Sequence, residues 1–477
     1  MLSGCWNLIG GDLRPESADF YVDPSGASGA FPTIRAALAA AEASSLPNRT
    51  IHLAAGTYEA ATGETFPLEL RGISLVGAGA DRTILRGSGT AGIARPDVSN
   101  EAEVVAALVV GEVGKRPTTI SDLSILSTGS PGAAGTEAIV CDRGDTSNLE
   151  PVPPNLIVSG VAIEGFEIGV RITSSLQALS GCNALVRASS FQSGSYGVFA
   201  DGSIGDETSR FVSVQLGDGT SSGGNSFRLL QAEAERGVLS FFAGAGLATR
   251  RAVTRVTVQG NQFSDSDQGI FAYESAASGA AAGFVIVDND FGALRNAGVQ
   301  LFGYPIVDRL ENNRFHDIST PDGREDITFL GVGMVIDSYN TDGFPQVRHA
   351  RGNSFVENDQ GLIFRSNRAL RAGELQSNFG TMSDPGQNTF RCNGVGIRLI
   401  PRSVVGGDVF VAIDALQRSN IPFEGNGWDH APPAVSPPLA TFDGIDIYTA
   451  GTSIDVAGAI GGAMSPCPDD RPAGPPP

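Results

Sequence analysis

Lysine is all but missing from this chain: of 32 lysines and arginines only Lys115 is a lysine. Basic residues as a whole are outnumbered by 52 acidic ones, for a formal net charge of −20. With no run of basic residues, nucleic acid and anionic membrane surfaces are excluded as partners. Histidine is equally scarce. His52, His316, His349 and His430 are scattered along the sequence, so neither a metal cluster nor a Ser-His-Asp set can be placed. Five cysteines occur without any Cys-x-x-Cys pair, which removes support for a zinc site. No stretch reaches the ~18 uninterrupted apolar residues of a membrane-spanning helix. Glycine has no three-residue period, which excludes collagen. No glycine-rich phosphate loop follows a strand and opens a helix.

What is present is glycine, 62 of 477 residues, and a hydrophobic fraction of 41%. Glycine at nearly twice the usual ~7% implies many bends. A mean hydropathy of +0.01 is too high for a disordered chain, so a large core is expected.

The first organised segment runs from Tyr21 to Leu85. Tyr21-Val22-Asp23-Pro24-Ser25-Gly26 reads as a strand and turn. Thr33 to Ala41 reads as an alanine-rich helix, with Ile34, Leu38 and Ala41 on one face. Short β-runs follow at Thr50-Ile51-His52-Leu53, Gly56-Thr57-Tyr58, Leu68-Glu69-Leu70 and Ile73-Ser74-Leu75-Val76, and no further long helix is predicted. A loose repeat then takes over. Asn-x-Phe recurs at Asn225/Phe227, Asn261/Phe263, Asn289/Phe291, Asn313/Phe315, Asn353/Phe355 and Asn388/Phe390, spaced 24 to 40 residues apart. About six residues after the Phe, a glycine opens another β-run, as in Gly269-Ile270-Phe271-Ala272, Gly298-Val299-Gln300-Leu301 and Gly361-Leu362-Ile363-Phe364.

One picture accounts for this pattern: an all-β, single-stranded right-handed parallel β-helix of about a dozen coils, with the helix after Thr33 as its cap. The Phe residues stack inside, and the Asn residues sit at a sharp turn where their amides bond the backbone and each other. The glycines are expected to permit tight bends between strands. Such a stack is one cooperative unit despite its length. It is expected to occupy residues 18–460, after a linker over 1–17 and before a disordered proline-rich tail over 461–477.

Leu2-Ser3-Gly4-Cys5 resembles the lipobox of bacterial lipoproteins. That implies lipidation at Cys5 and a place in the cell envelope or outside the cell, although no basic and apolar leader precedes it in this sequence. The segment from Tyr21 to Leu85, with Tyr-Val-Asp-Pro-Ser-Gly, Phe-Pro-Thr-Ile-Arg-Ala-Ala-Leu and Ala-Ala-Gly-Thr-Tyr, resembles bacterial β-helix proteins of the pectin-lyase-like superfamily. It is most similar to secreted, often lipidated members that carry a domain of unknown function. Repeated Gly-Asn-x-Phe turns, Trp428-Asp429-His430 and Asp446-Ile447-Tyr448 fit the same group. The resemblance implies the fold over residues 20 to 450 and leaves activity open, because the superfamily spans lyases, hydrolases, esterases, epimerases and non-catalytic proteins.

Specific enzyme patterns are incomplete, and catalytic residues stay unassigned. Asn340-Thr341-Asp342-Gly343 is similar to a polygalacturonase motif, but the partner motifs that would supply paired carboxylates do not occur. Gly56-Thr57-Tyr58-Glu59 is similar to the start of pectin methylesterases, whose later segments are absent. A pectate-lyase reading would need calcium held by Asp288-Asn289-Asp290 or Asp265-Ser266-Asp267, with Arg365 or Arg398 as base. Asn289 is already assigned to the turn ladder, so these carboxylates read as solvated turns. No cofactor is expected outside that lyase alternative.

Alternation after each coil-opening glycine puts the second and fourth residues outside on one sheet. Phe271, Tyr273, Phe302, Asp337, Arg365 and Arg398 then form a stripe of aromatic and charged groups suited to a sugar or peptide ligand. The contrary expectation is that a loop, such as Thr320 to Thr328, covers this face and the rings pack beneath it. The reading that results is a monomeric envelope or secreted scaffold binding polysaccharide or a surface protein, with a polysaccharide-degrading enzyme as the alternative. Oxidised pairing in that compartment is expected to join Cys141 to Cys182 and Cys392 to Cys467.

Overall fold

The computed structural model describes most of residues 17–428. It leaves out 27–28, 47, 95–102, 112–116, 144–154, 175–179, 203–210, 221, 231–243, 251–252, 274–282, 321–329, 338–343, 366–376, 394, 401–420 and 423–424. Beyond 428 it describes 435–436, 445–448 and 454–455. The expected lid over Thr320 to Thr328, the Asn340 to Gly343 motif, Asp429-His430, Cys5, Cys467 and the tail over 461–477 fall almost wholly outside the described residues.

Strands recur in a fixed order, coil after coil, and each pairs in parallel with its counterpart one coil on. The result is two 12-stranded sheets and one 14-stranded sheet wound as a right-handed parallel β-helix. Near residue 289, for example, Gly283–Val287 lies in the first sheet, Asp290–Gly292 in the second and Ala297–Phe302 in the third. A stack of a dozen such coils rises about 55 Å at ~4.8 Å each. The N-terminal edge of the third sheet is closed by Gly89–Ala94, which pairs antiparallel with Glu103–Val110.

Both corners flanking the second sheet are made by residues in the left-handed region. Between the first and second sheets most coils spend only two residues, and the first of them has positive φ: Gly160, Ala188, Gly260, Asp288, Asn312 and Gly352. Another such residue follows the second-sheet strand, as at Ser193, Asp265, Asp317 and Glu357. The coil-opening glycines do something else. Their φ is not positive, and a Cβ on Gly298 would lie 2.5 Å from Cδ1 of Phe315, the ladder ring of the following coil. Gly197 and Phe227, Gly246 and Phe263, and Gly269 and Phe291 repeat that contact at 2.4 Å. The carbonyl of the next coil's glycine comes as close, 2.6 Å from a Cβ at Gly333, so these glycines make room for a ring and a neighbouring backbone rather than a bend, which corrects the expectation.

The rings stack without a break from Phe191 through Phe227, Phe263, Phe291, Phe315, Phe355 and Phe390 to Trp428, with centroids 4.6 to 4.9 Å apart. Beside them the Asn side chains form a continuous hydrogen-bonded column. Asn313 Oδ1 accepts from both the backbone N–H (3.1 Å) and the side-chain amide (3.0 Å) of Asn289. Asn313 Nδ2 donates in turn to Ile286 O at 2.8 Å and Asn353 Oδ1 at 2.9 Å. Both ends of each side-chain amide from Asn225 to Asn388 are hydrogen-bonded, so the column is buried without an unsatisfied polar group. Helix α1 (Ile34–Ala43) is capped by Thr33, whose side chain accepts from Ala36 N–H at 3.2 Å, and Glu64 accepts from the Ile34 N–H. Its Ile34, Ala37, Leu38 and Ala41 join the same core as Val22, Ile51 and Tyr58 of the first coil.

Cys141 and Cys182 form a disulfide, the pairing expected from sequence. Cys392 is also disulfide-bonded, and its partner lies outside the described residues.

Candidate functional site

The outer face of the third sheet carries two parallel ladders of side chains. In the first, register places Asp142, Thr173, Asp201, Arg250, Tyr273, Phe302, Asp337 and Arg365 on eight consecutive coils. In the second, Arg171, Phe199, Ala248, Phe271, Gln300, Val335, Ile363 and Arg398 follow one another. The expected stripe is thus on one face but divides between two columns. Tyr273, Phe302, Asp337 and Arg365 share the polar one, and Phe271 and Arg398 belong to the other. Arg398 is placed by its backbone register, and its side chain lies outside the described residues.

Exposure departs from the expectation. Phe271 is 4% exposed and Phe302 8%, so these rings are enclosed and are not an open aromatic strip. They pack with Ile168, Phe199, Ala245 and Ala248 in an apolar cluster separate from the main core. Tyr273 is half-buried and stacks on Phe302 at 5.1 Å, with Phe271 at 6.1 Å on its other side. Alternation fixed which face these residues occupy, while enclosure depends on what packs over that face.

Charged groups are enclosed here as well. Arg171 Nε bonds Glu137 Oε1 at 2.7 Å with both side chains buried, and the Arg171 guanidinium lies 5.2 Å over the Phe199 ring. Arg365 Nη1 reaches Asp337 Oδ2 at 3.5 Å, with Arg365 14% and Asp337 1% exposed. Asp201 is fully enclosed. Burial pushes the Asp142 carboxyl above the usual carboxylate range, and no described group bonds its Oδ1. Buried ion pairs contribute little to stability, so a concentration of them on one outer face calls for another account.

Sequence reasoning missed Asp142, Arg250 and Glu137. Arg250 had a signal, since Gly246 opens its strand as the other glycines do. Asp142 and Glu137 flank Ala138, which stands where most later coils have glycine, and so escaped the pattern. The residues weighed as calcium ligands are engaged elsewhere. Asp288 makes a corner with φ 57°, Asn289 belongs to the Asn column, and Asp290 accepts from His316 Nε2 at 3.1 Å on the second sheet. Asp265 pairs with Arg228 at 2.9 Å, and Asp267 pairs with Arg295.

The chain connections flanking this face differ in length from coil to coil, from 303–305 to 401–420 on leaving the third sheet, whereas the opposite corner keeps two residues in most coils. Variable connections beside a fixed framework are where binding groups accumulate.

Residues 23–122 match the model of a family described as "Protein of unknown function (DUF1565)". Among solved structures, the catalytic domain of a GH87 α-1,3-glucanase in complex with nigerose is similar at 14% identity and a TM-score of 0.42, covering 89% of this chain. The chain spans 66% of the length of that glucanase domain. The A-module of the Azotobacter vinelandii mannuronan C-5 epimerase AlgE6 is similar at 13% identity and a TM-score of 0.32, covering 78% of this chain and 91% of the module. No curated protein matches this sequence. The chain is a right-handed parallel β-helix protein whose first coils, residues 23–122, match the model of a family of unknown function.

Proposed function

We propose that this protein is a rigid β-helical scaffold that binds glycan along the ladder from Asp142 to Arg365. One observation carries the reading: eight polar and aromatic side chains hold a single register on consecutive coils. Coil stacking sets their repeat at about 4.8 Å, close to the length of one sugar unit. A half-buried Tyr273 backed by Phe302, beside the partly exposed guanidinium of Arg365 that Asp337 holds from beneath, supplies both a stacking face and directional hydrogen-bond donors. The Cys141–Cys182 disulfide supports a location outside the reducing cytoplasm, in the envelope or beyond it. Affinity electrophoresis of wild type, Tyr273→Ala and Arg250→Gln, neither of which breaks an ion pair among the described residues, through gels containing different polysaccharides tests the reading. Retardation in at least one gel, lost in both variants while melting shifts by less than about 4 °C, is the expected result. Unchanged retardation in the variants would sink it.

A hydrolase is the second reading, and Asp142 favours it. Asp142 and Asp201 are two coils apart with Thr173 between them, a backbone separation of about 9.6 Å, just beyond the ~6.5–9.5 Å that separates the carboxyl groups of inverting glycosidases. The raised Asp142 carboxyl would suit the acid of such a pair. Release of reducing sugar that disappears in Asp142→Asn would favour this reading over a pure scaffold.

A further inference from the structure

The charges of the same face bear on which glycans it accepts, an inference that rests on the glycan-binding reading. Of the three arginines placed there by a described side chain, two are matched by a carboxylate. Arg171 bonds Glu137 at 2.7 Å and Arg365 reaches Asp337 at 3.5 Å, whereas Arg250 stands one coil from Asp201 in register without an ion pair among the described residues, a single uncommitted cation on eight coils. Asp142 is left over on the acidic side, at the N-terminal end of the ladder. A polyuronate or sulfated chain presents about one anion per sugar and so needs roughly one uncommitted cation per coil. To recruit Arg171 or Arg365 it would have to displace a carboxylate that is itself buried, leaving that carboxylate without its main counter-charge. The chain's net charge of −20 opposes the approach of such a polymer at long range as well. Neutral sugars face neither penalty, since their hydroxyl groups can accept from the partly exposed guanidinium groups of Arg365 and Arg250 without breaking an ion pair.

We propose that the ladder binds neutral, hydroxyl-rich glycans and excludes polyuronates and sulfated polysaccharides. The test uses the full chain against matched polymers that differ only in charge: a neutral glucan against its carboxymethylated form, and highly methyl-esterified pectin against the same pectin after de-esterification. Affinities are measured at about 20 mM and about 300 mM NaCl. Neutral members are expected to bind with little salt dependence, and the charged members at least about ten-fold more weakly at low salt. Tighter binding of the charged members, weakening with salt, would overturn the proposal. Equal binding of both members would overturn it too, while leaving the glycan-binding reading in place. If no polymer of either kind binds, the glycan-binding reading fails and this inference falls with it. Asp337→Asn gives an independent measure. By neutralising the main counter-charge of Arg365 it is expected to increase the affinity for de-esterified pectin, and no increase in a variant of unchanged melting temperature would count against the proposal.

Discussion

Replacing Asn313 by alanine removes four hydrogen bonds from the middle of the column, and their partners fare differently. The Asn289 N–H loses its partner outright, a buried orphan worth about 1–3 kcal/mol. The Asn289 side-chain amide retains Val258 O and Val287 O, and Asn353 Oδ1 still accepts from the Asn313 backbone N–H. Each of those two groups, and Ile286 O, loses one bond of roughly 0.5–1.5 kcal/mol net. The sum is a loss of about 2.5–7.5 kcal/mol, read as a shift in the guanidinium midpoint and as faster exchange of the Asn289 amide hydrogen. Asn313→Asp separates geometry from donor chemistry. It keeps the accepting oxygen but sets a second oxygen against Ile286 O and Asn353 Oδ1, so at neutral pH it should cost at least as much as alanine. At acid pH a protonated carboxyl can donate one of those bonds, and the deficit relative to wild type should shrink. The exposed neighbour Asn312 serves as a control, because at φ 54° its replacement by glycine should leave stability level or slightly raised. A loss below about 1 kcal/mol in Asn313→Ala would refute the reasoning and make the column ornamental.

Three further outcomes follow from the same geometry. Gly298→Ala should cost about 1–3 kcal/mol by overpacking, and pairing it with Phe315→Leu should cost less than the two singles added, measured as a double-mutant cycle. Burial raises the Asp359 carboxyl, so wild type is penalised above that shifted value and relieved as pH falls through it; Asp359→Asn should therefore gain stability relative to wild type at pH 8 and lose that advantage near pH 4. Removing the disulfide with Cys141→Ser and Cys182→Ser should lower unfolding free energy by about 4 kcal/mol on the chain-entropy account for a sequence separation of 41 residues, checked by denaturation under non-reducing conditions.

Legibility in the sequence followed repetition. The Asn and Phe columns could be read because one residue type must recur at the same corner of each coil. A second column, where Asn358 Nδ2 donates to Asn393 Oδ1 at 3.0 Å, was missed. Its earlier coils fill the same place with Leu230, Ser266, Leu294 and Ile318, so no single letter repeats. The glycines were found but given the wrong task, because their obstacles are the next coil's glycine carbonyl and its ring, the ring some 17 to 30 residues away in sequence. On the third sheet, period-two alternation put Tyr273, Phe302, Asp337 and Arg365 on one face. It could not tell enclosed from open, since alternation reports which way a side chain points and not what lies over it.

The two-residue corner between the first and second sheets behaves like the spine of a book. Column and ring stack run beside it, so a residue added or deleted at Asp288-Asn289 would break the register of both ladders at once. The margin along the third sheet is under no such constraint, and pages there can be lengthened singly. Lineages of this fold are therefore expected to diversify by changing the length of the segments around 274–282, 338–343 and 366–376 while the spine stays the same length. Grafting a foreign peptide into one of those positions is the corresponding engineering move, because it alters what the molecule presents without altering how its coils stack.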